Sequence, residues 1–253
     1  SLPELCDLAV EAGYEAICMR ASQIGIHSSA DAIAEAREII GQRNLDVTMI
    51  TGDFDIVYNN DRGPTCLNNI TPYLNLAEVL HAALIRVCLK SEKDIAAARR
   101  AADESAERGI TLVHQCHTQS LFETVDDIEM RLKQIDRPNF GLIFEAANLE
   151  ACRQNYGPHT IARLAPWIRN VYLQNQRLNP NGAITLDTWS HGPISFDIIS
   201  IPTPGGINFS LVFDGLKQAG YKGIVTVHQS APEDGTNPAA AAAQTAAFLR
   251  TLF

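Results

Sequence analysis

Helical and strand-like segments alternate from one end of this chain to the other, and that alternation leaves few folds open. Leu2–Ala12 has apolar residues at helical spacing and stops at Gly13, after which Glu15–Arg20 reads as a strand. The pairing recurs along the chain. Helix Asp31–Ile40 precedes strand Val47–Thr51, Pro72–Ala82 precedes Leu84–Leu89, and Ile95–Glu107 precedes Ile110–Cys116. Val125–Gln134 then precedes Phe140–Phe144, Thr160–Trp167 precedes Asn170–Gln174, and Phe209–Gln218 precedes Ile224–His228. A last helix, Pro238–Leu252, is capped by Asn237 and opens on proline, which suits a first helical turn. Units of about thirty residues with apolar strands indicate parallel strands joined by helical crossovers.

This reading gives seven strands and eight helices. A (β/α)8 TIM barrel needs one strand more, and it would lie immediately before Leu2. The expectation is therefore an α/β barrel with strand 1 missing from this numbering. A doubly wound open sheet is the rival, but no GxGxxG turn follows an early strand. A barrel of 253 residues needs no second domain, so residues 1–253 are read as one. Two stretches after strands are long, Gly52–Thr71 and Arg177–Asn208. The second carries several prolines and Gly205-Gly206, so an ordered or hinged lid loop is expected there.

Composition narrows the function classes. Twenty Lys and Arg against 29 Asp and Glu leave a net charge of −9, which opposes phosphate backbones and anionic lipid. Nucleic acid and membrane are thus not expected as partners, and no apolar run approaches the ~20 residues a bilayer span needs. The six cysteines show no CxxC spacing, which fits a reduced, cytoplasmic protein better than a disulfide framework. Whether the chain forms a homo-oligomer is left open.

Strand alternation selects the residues that could carry chemistry. Val171 and Leu173 should face the helices, leaving Asn170, Tyr172 and Gln174 facing the barrel axis. The same logic turns Thr226 and His228 inward in the last strand, and Val113 and Gln115 inward in Ile110–Cys116. Glu145 ends its strand on the axis side, while Arg86 and Cys88 alternate with Val87 and Leu89. Polar groups at several strand ends mark a barrel's reactive face, because a purely structural interior would hold Val, Ile and Leu. Without a metal, Glu145 would need a counter-charge, which Arg86 or Arg177 could supply. His114 should face the helices, and Asp53 in TGDFD serves as a turn cap or a substrate contact.

Three segments then carry a resemblance. LPELCDLAVEAGYEAICMR, NFGLIFEAANL and PTPGGINFSLVFDGLKQAGYKGIVTVHQ resemble the opening helix and strand, a mid-barrel strand motif, and the closing Gly-Tyr-x-Gly pattern of the xylose isomerase-like TIM barrels. That family includes sugar and sugar-phosphate isomerases and epimerases, hydroxypyruvate isomerase, inosose dehydratase and endonuclease IV. The resemblance implies one divalent metal (Mn, Mg, Co, Fe or Zn) held by Glu, Asp, His or Gln, and Glu at successive strand ends. Carried over by motif, those positions are Gln115, Glu145, Tyr172 and His228, with Gln174 a substitute on the face of Tyr172. None is the usual residue, although Glu145 and His228 remain competent ligands. The resemblance also implies Arg177, His117 and Asn148 as substrate contacts.

These departures shape the expected reaction. Family isomerases use two glutamates as acid and base. Here Gln115 cannot carry a proton at neutral pH, whereas His228 can. The expectation is a sugar or keto-sugar isomerase or epimerase, with His228 or Glu145 moving the proton and Glu145, His228, Gln115 and Gln174 offered to a metal. The alternatives are a keto-sugar lyase or dehydratase, which needs only one base, and a metal-free carbohydrate-binding protein. No Lys/Arg cluster at the strand ends marks a phosphate site, so an unphosphorylated substrate is favoured. The three-zinc chemistry of the endonuclease branch does not fit so acidic a chain.

Overall fold

The computed structural model describes residues 1–229 and 237–252. The chain forms two compact units. The first comprises Ser1–Gln115 with Leu132–Gly141, and the second Cys116–Arg131 with Leu142–Phe253.

The first unit repeats a helix–strand motif. Its elements are α1 (Leu2–Ala12), β1 (Ala16–Met19), α2 (Ala30–Gly41), β2 (Asp46–Ile50), α3 (Phe54–Val57), α4 (Thr71–Leu80), β3 (Leu84–Val87), α5 (Lys93–Ala106) and β4 (Thr111–Gln115). Local chemistry sets several of the ends. Ser1 and Glu4 form a capping box at the start of α1, and Gly13 closes that helix in the left-handed conformation at φ 79°. Ser29 caps α2 by accepting from Ala32 N. β1–β2, β2–β3 and β3–β4 pair in parallel. Their side chains close over a core that includes Met49, Ile50, Leu74, Ile85 and Ala98, all fully buried. The long Gly52–Thr71 segment is not an open loop, because it holds α3 and a 3-10 turn over Gly63–Asn68.

The second unit holds α7 (Ala146–Ala151), α8 (Pro158–Leu164), β6 (Ile168–Leu173), α9 (Phe209–Gln218), β10 (Ile224–Val227) and α10 (Pro238–Arg250). Helix α6 (Val125–Ile135) and strand β5 (Phe140–Glu145) bridge the unit boundary. β5–β6 and β6–β10 pair in parallel. The strands run β1-β2-β3-β4 in the first unit and β5-β6-β10 in the second, the order expected from the alternating helix–strand motif.

The lid stretch differs from its expectation as a loop. It folds into a three-stranded antiparallel sheet of β7 (Gln176–Leu178), β8 (Ile184–Thr188) and β9 (Gly192–Ile198), in the order β7-β9-β8. The signal lay in the ITLDT and PISFDI runs, whose alternating polarity suits a strand with one exposed face. The remaining loop, 199–207, is gathered by one side chain. Asn175, fully buried, donates Nδ2 to the carbonyls of Ser200, Ile201 and Thr203 at 2.9, 3.2 and 2.9 Å. Its Oδ1 accepts from Ile207 N at 2.9 Å. Gly206 is required beside it, since a Cβ there would sit 2.2 Å from Asn175 Oδ1. Among the described residues no helix is long and apolar enough to cross a membrane.

Candidate active site

Three adjacent strands of the second unit bring Glu145, Tyr172 and His228 together. The register sets Glu145 opposite Tyr172 and Tyr172 opposite Thr226, so side chains at these positions share a face. His228 lies two residues beyond Thr226 on that face, and its backbone N donates to Leu173 O at 2.9 Å. The Glu145 carboxyl is fully buried, and its Oε1 lies 3.5 Å from His228 Nδ1. The Tyr172 ring stacks on the imidazole with centroids 4.4 Å apart and planes 26° apart. Asn148, one turn into α7, donates Nδ2 to Glu145 Oε2.

The side chain facing Glu145 Oε1 is an imidazole. Nδ1 of His228 is buried beside Glu145 Oε1 with no hydrogen bond between the two atoms, and the His228 side chain is 25% exposed. A carboxylate at Nδ1 favours the tautomer with its proton there and a lone pair on Nε2. Cys116, beside this carboxylate, is no nucleophile. Burial pushes its thiol up to about 12, and the Glu145 charge adds to the shift.

The other sequence-derived residues fall in distinct places. His117 is fixed by a 2.9 Å contact from Nδ1 to Thr118 O. Gln174 Nε2 donates to Gln176 Oε1 at 3.4 Å, and Gln176 donates onward to Ala147 O at 2.7 Å. Arg177 is exposed on β7 opposite Asp197, and its charge helps to hold the Asp197 carboxyl below its ordinary range, after hydrogen bonds from Asn179 and Ala183 N. Asp53 and Gln115 belong to the first unit. Both oxygens of Asp53 are engaged. Oδ1 caps α3 through Ile56 N at 3.0 Å, and Oδ2 accepts from Tyr73 OH. Gln115 is buried at the end of β4, and His114 is buried with Nδ1 2.6 Å from Gln115 O.

Besides Asn175, another buried polar residue of the second unit carries no mark in the sequence. Glu123, 4% exposed, accepts backbone N–H groups from Gln119 and Trp189 on Oε1, both at 2.9 Å, and from Ser190 on Oε2 at 2.7 Å. It clamps the β8–β9 turn to the loop after His117. Its contact with Gln119 is local, but Trp189 and Ser190 lie 66 and 67 residues away, and nothing in the sequence pairs them with it. Glu123→Gln keeps the shape but turns an acceptor into a donor facing N–H groups. The expected cost is about 2 kcal/mol. It would be read by chemical denaturation, with faster amide exchange at Trp189 and Ser190.

The donor set does not fit the family's four-ligand metal site. The third position is a phenol whose ring lies flat on the fourth, and Asn148 directs an N–H at the carboxylate. Among the described residues no group of three His, Cys, Asp or Glu side chains is placed to hold a metal ion. No chemical step is therefore routed through a metal.

Polar side chains at the carboxyl ends of parallel β/α strands lie on the face where barrel enzymes keep their active sites. The sequence matches the xylose isomerase-like TIM barrels over residues 6–252, and the chain belongs to that family. Its fold is accordingly the TIM barrel of that family, and the characterised members are enzymes. An inosose dehydratase of Geobacillus thermodenitrificans (strain NG80-2) is 24% identical over 140 residues, covering 55% of this chain and 47% of that protein, so the match spans about half the relative's length. A xylose isomerase-like TIM barrel protein from Mycobacterium smegmatis, solved in complex with magnesium, superposes with TM-score 0.74 at 14% identity, covering 99% of this chain and 87% of that one. A D-allulose 3-epimerase from Methylomonas sp., in complex with D-allulose, gives TM-score 0.73 at 13% identity, covering 100% and 91%. These similarities to solved structures establish the fold.

Proposed function

We propose that this protein is a sugar or keto-sugar isomerase that transfers a proton beside a carbonyl through the His228–Glu145 pair. The observation that carries this reading is the buried Glu145 carboxyl group 3.5 Å from Nδ1 of His228, whose side chain is 25% exposed. Nε2 takes the proton from the carbon next to the substrate carbonyl. The C–H electron pair becomes the new C=C bond, and the carbonyl oxygen takes the charge as an enediolate. Glu145 stabilises the imidazolium so formed, while Tyr172 holds the ring in plane. The adjacent hydroxyl passes its proton to the enediolate oxygen and becomes the new carbonyl, while the imidazolium proton returns to the former carbonyl carbon, which completes isomerisation. Arg177, His117 and Asn148 are assigned to orienting the substrate.

A second reading shares the first step. If the enediolate expels a hydroxyl from the next carbon, the imidazolium proton leaves with it as water, and the reaction is a dehydration. The similarity to an inosose dehydratase favours this branch. Incubation with D-allulose, D-fructose and an inosose, followed by mass spectrometry, separates the two. A product of unchanged mass marks isomerisation, and loss of the mass of one water marks dehydration. Unchanged substrate throughout would overturn both.

Because the residues do not build the family's metal shell, turnover is expected to survive metal removal. After dialysis against EDTA, the rate should remain within about twofold of the untreated enzyme, well below the loss of several kcal/mol in transition-state stabilisation expected when a catalytic metal is removed. Elemental analysis of the same sample checks that the metal has gone.

A further inference from the structure

At the root of the lid sheet, in the second unit, a side-chain amide stands where backbone would pair with backbone. The register of β7 and β9 sets Gln176 opposite Ile198, so Asn175 and Ile199 form the next opposed pair. Opposed residues of an antiparallel ladder alternate between exchanging two N–H···O bonds and exchanging none. Here one bond of such an exchange is made, from Ile199 N to Asn175 O at 3.2 Å. The Gln229 amide takes the place of the other. Its Oε1 accepts from Asn175 N at 2.8 Å, and its Nε2 donates to Ile199 O at 3.2 Å, which closes a ring of three hydrogen bonds.

The same amide continues the ladder that carries His228. The last paired residues of β6 and β10 are Leu173 and Val227. His228 adds one bond, from its N to Leu173 O at 2.9 Å. The next rung of a parallel ladder would run from Asn175 N to the His228 carbonyl. Asn175 N goes instead to the side chain of the following residue, Gln229. Asn175 is fully buried and gathers the loop 199–207 through its own amide. One glutamine therefore ties together the chain leaving β6, the start of the lid loop, and the residue that adjoins His228.

We propose that Gln229 is a positioning residue for the His228 ring. The inference deepens the isomerase reading, on which it rests for the role of His228, by naming what holds the base in line. His228 lies beyond the last strand pair, so its backbone is fixed by its own bond to Leu173 O on one side and by the Gln229 tether on the other. Adjacent Cα atoms are about 3.8 Å apart across a planar peptide, so a tether at Gln229 leaves His228 little freedom. The stack on Tyr172 at 4.4 Å and the 3.5 Å approach of Nδ1 to Glu145 Oε1 both depend on that backbone staying in place. A displacement of about 1 Å costs a reacting group about 10²-fold in rate. Glutamine suits the task because one planar group offers both an acceptor and a donor, whereas glutamate has no donor at neutral pH. The partners lie 54 and 30 residues away, so nothing in the sequence marks the tether.

The test reads the ring directly. Protein labelled with 13C-histidine is compared by NMR at about pH 9, where an ordinary imidazole is neutral, and the His228 ring C–H signals are assigned by their loss in His228→Asn. In the wild type the stacked Tyr172 ring shifts these signals upfield of their urea-denatured position. Gln229→Met has the length of glutamine without its amide, and at least half of that displacement should be lost. Gln229→Glu keeps the acceptor for Asn175 N but turns an oxygen toward Ile199 O, and a smaller part should be lost. In steady-state kinetics, kcat of Gln229→Met should fall by at least about tenfold while KM changes less than about threefold. If Gln229→Met does not fold by circular dichroism, Gln229→Glu carries the same comparison. A ring signal that stays in place in a folded variant, with or without a lower melting temperature, overturns the inference and leaves Gln229 a structural tie of the lid. A signal that moves in a protein that exchanges no substrate proton in D2O counts against the isomerase reading alone, so the two failures are distinguishable.

Discussion

His228→Asn is expected to lower kcat by about 10²–10⁴-fold, the usual contribution of a positioned general base, while KM changes less than about threefold. Asparagine keeps the stack on Tyr172 in part and can still donate toward Glu145, but it has no lone pair able to accept a carbon-bound proton. Glu145→Gln should act differently. It leaves the base in place but removes the charge that orients Nδ1 and stabilises the imidazolium, so kcat should fall by an intermediate factor. The double variant should be no worse than His228→Asn alone, because the two residues act as one unit. Steady-state kinetics on D-allulose, D-fructose and an inosose reads all three. A His228→Asn enzyme within tenfold of wild type would remove this residue from the chemistry.

Asn175→Ala should be the most damaging change outside the reacting pair. It would remove the partner of the carbonyls of Ser200, Ile201 and Thr203 and of the N–H of Ile207, the contacts to Ile201 and Ile207 being buried and the other two part-buried. Leaving a buried polar group without a partner costs about 1–3 kcal/mol, so a loss of about 4 kcal/mol is expected. A chain of this length loses about 2–4 °C per kcal/mol, which puts the melting temperature about 10 °C lower. Asn175→Asp should not rescue it. The carboxylate keeps the acceptor for Ile207 but turns an oxygen toward three carbonyls. If the Asn175→Asp variant melted like the wild type, the amide's role as the hub of loop 199–207 would be wrong. Hydrogen exchange across residues 199–207 gives the local readout.

Much of the fold was legible because the helix–strand alternation is a periodic property, repeated often enough that no single boundary matters. Leu2–Ala12 and its stop at Gly13, and the last helix with its Asn237 cap, follow from residues a few positions apart. The β7–β9–β8 sheet was obscured because Pro193 and Pro202 flank a run whose strand character is one-sided. Glu145 and His228 were visible as charged or titratable groups at strand ends, where an apolar residue would be the structural choice. Their place in one site was visible, as shared ligands of a metal, but a direct approach of the imidazole to the carboxyl group was not, and Arg86 or Arg177 stood as the partner in the absence of a metal. Strand register decides that question, and register is a long-range property. Glu123 and Asn175 were invisible for a similar reason, since each satisfies backbone groups far along the chain and leaves no local pattern.

The central claim, proton abstraction beside a carbonyl by the His228–Glu145 pair, is tested most directly by solvent exchange. The protein is incubated in D2O with D-allulose, D-fructose and an inosose, and the carbon-bound proton next to the carbonyl is followed by proton NMR. The account predicts loss of that one signal with at least one of the three at the wild-type site, and its persistence with His228→Asn. Exchange that proceeds equally in His228→Asn, or no exchange with any of the three, would contradict it.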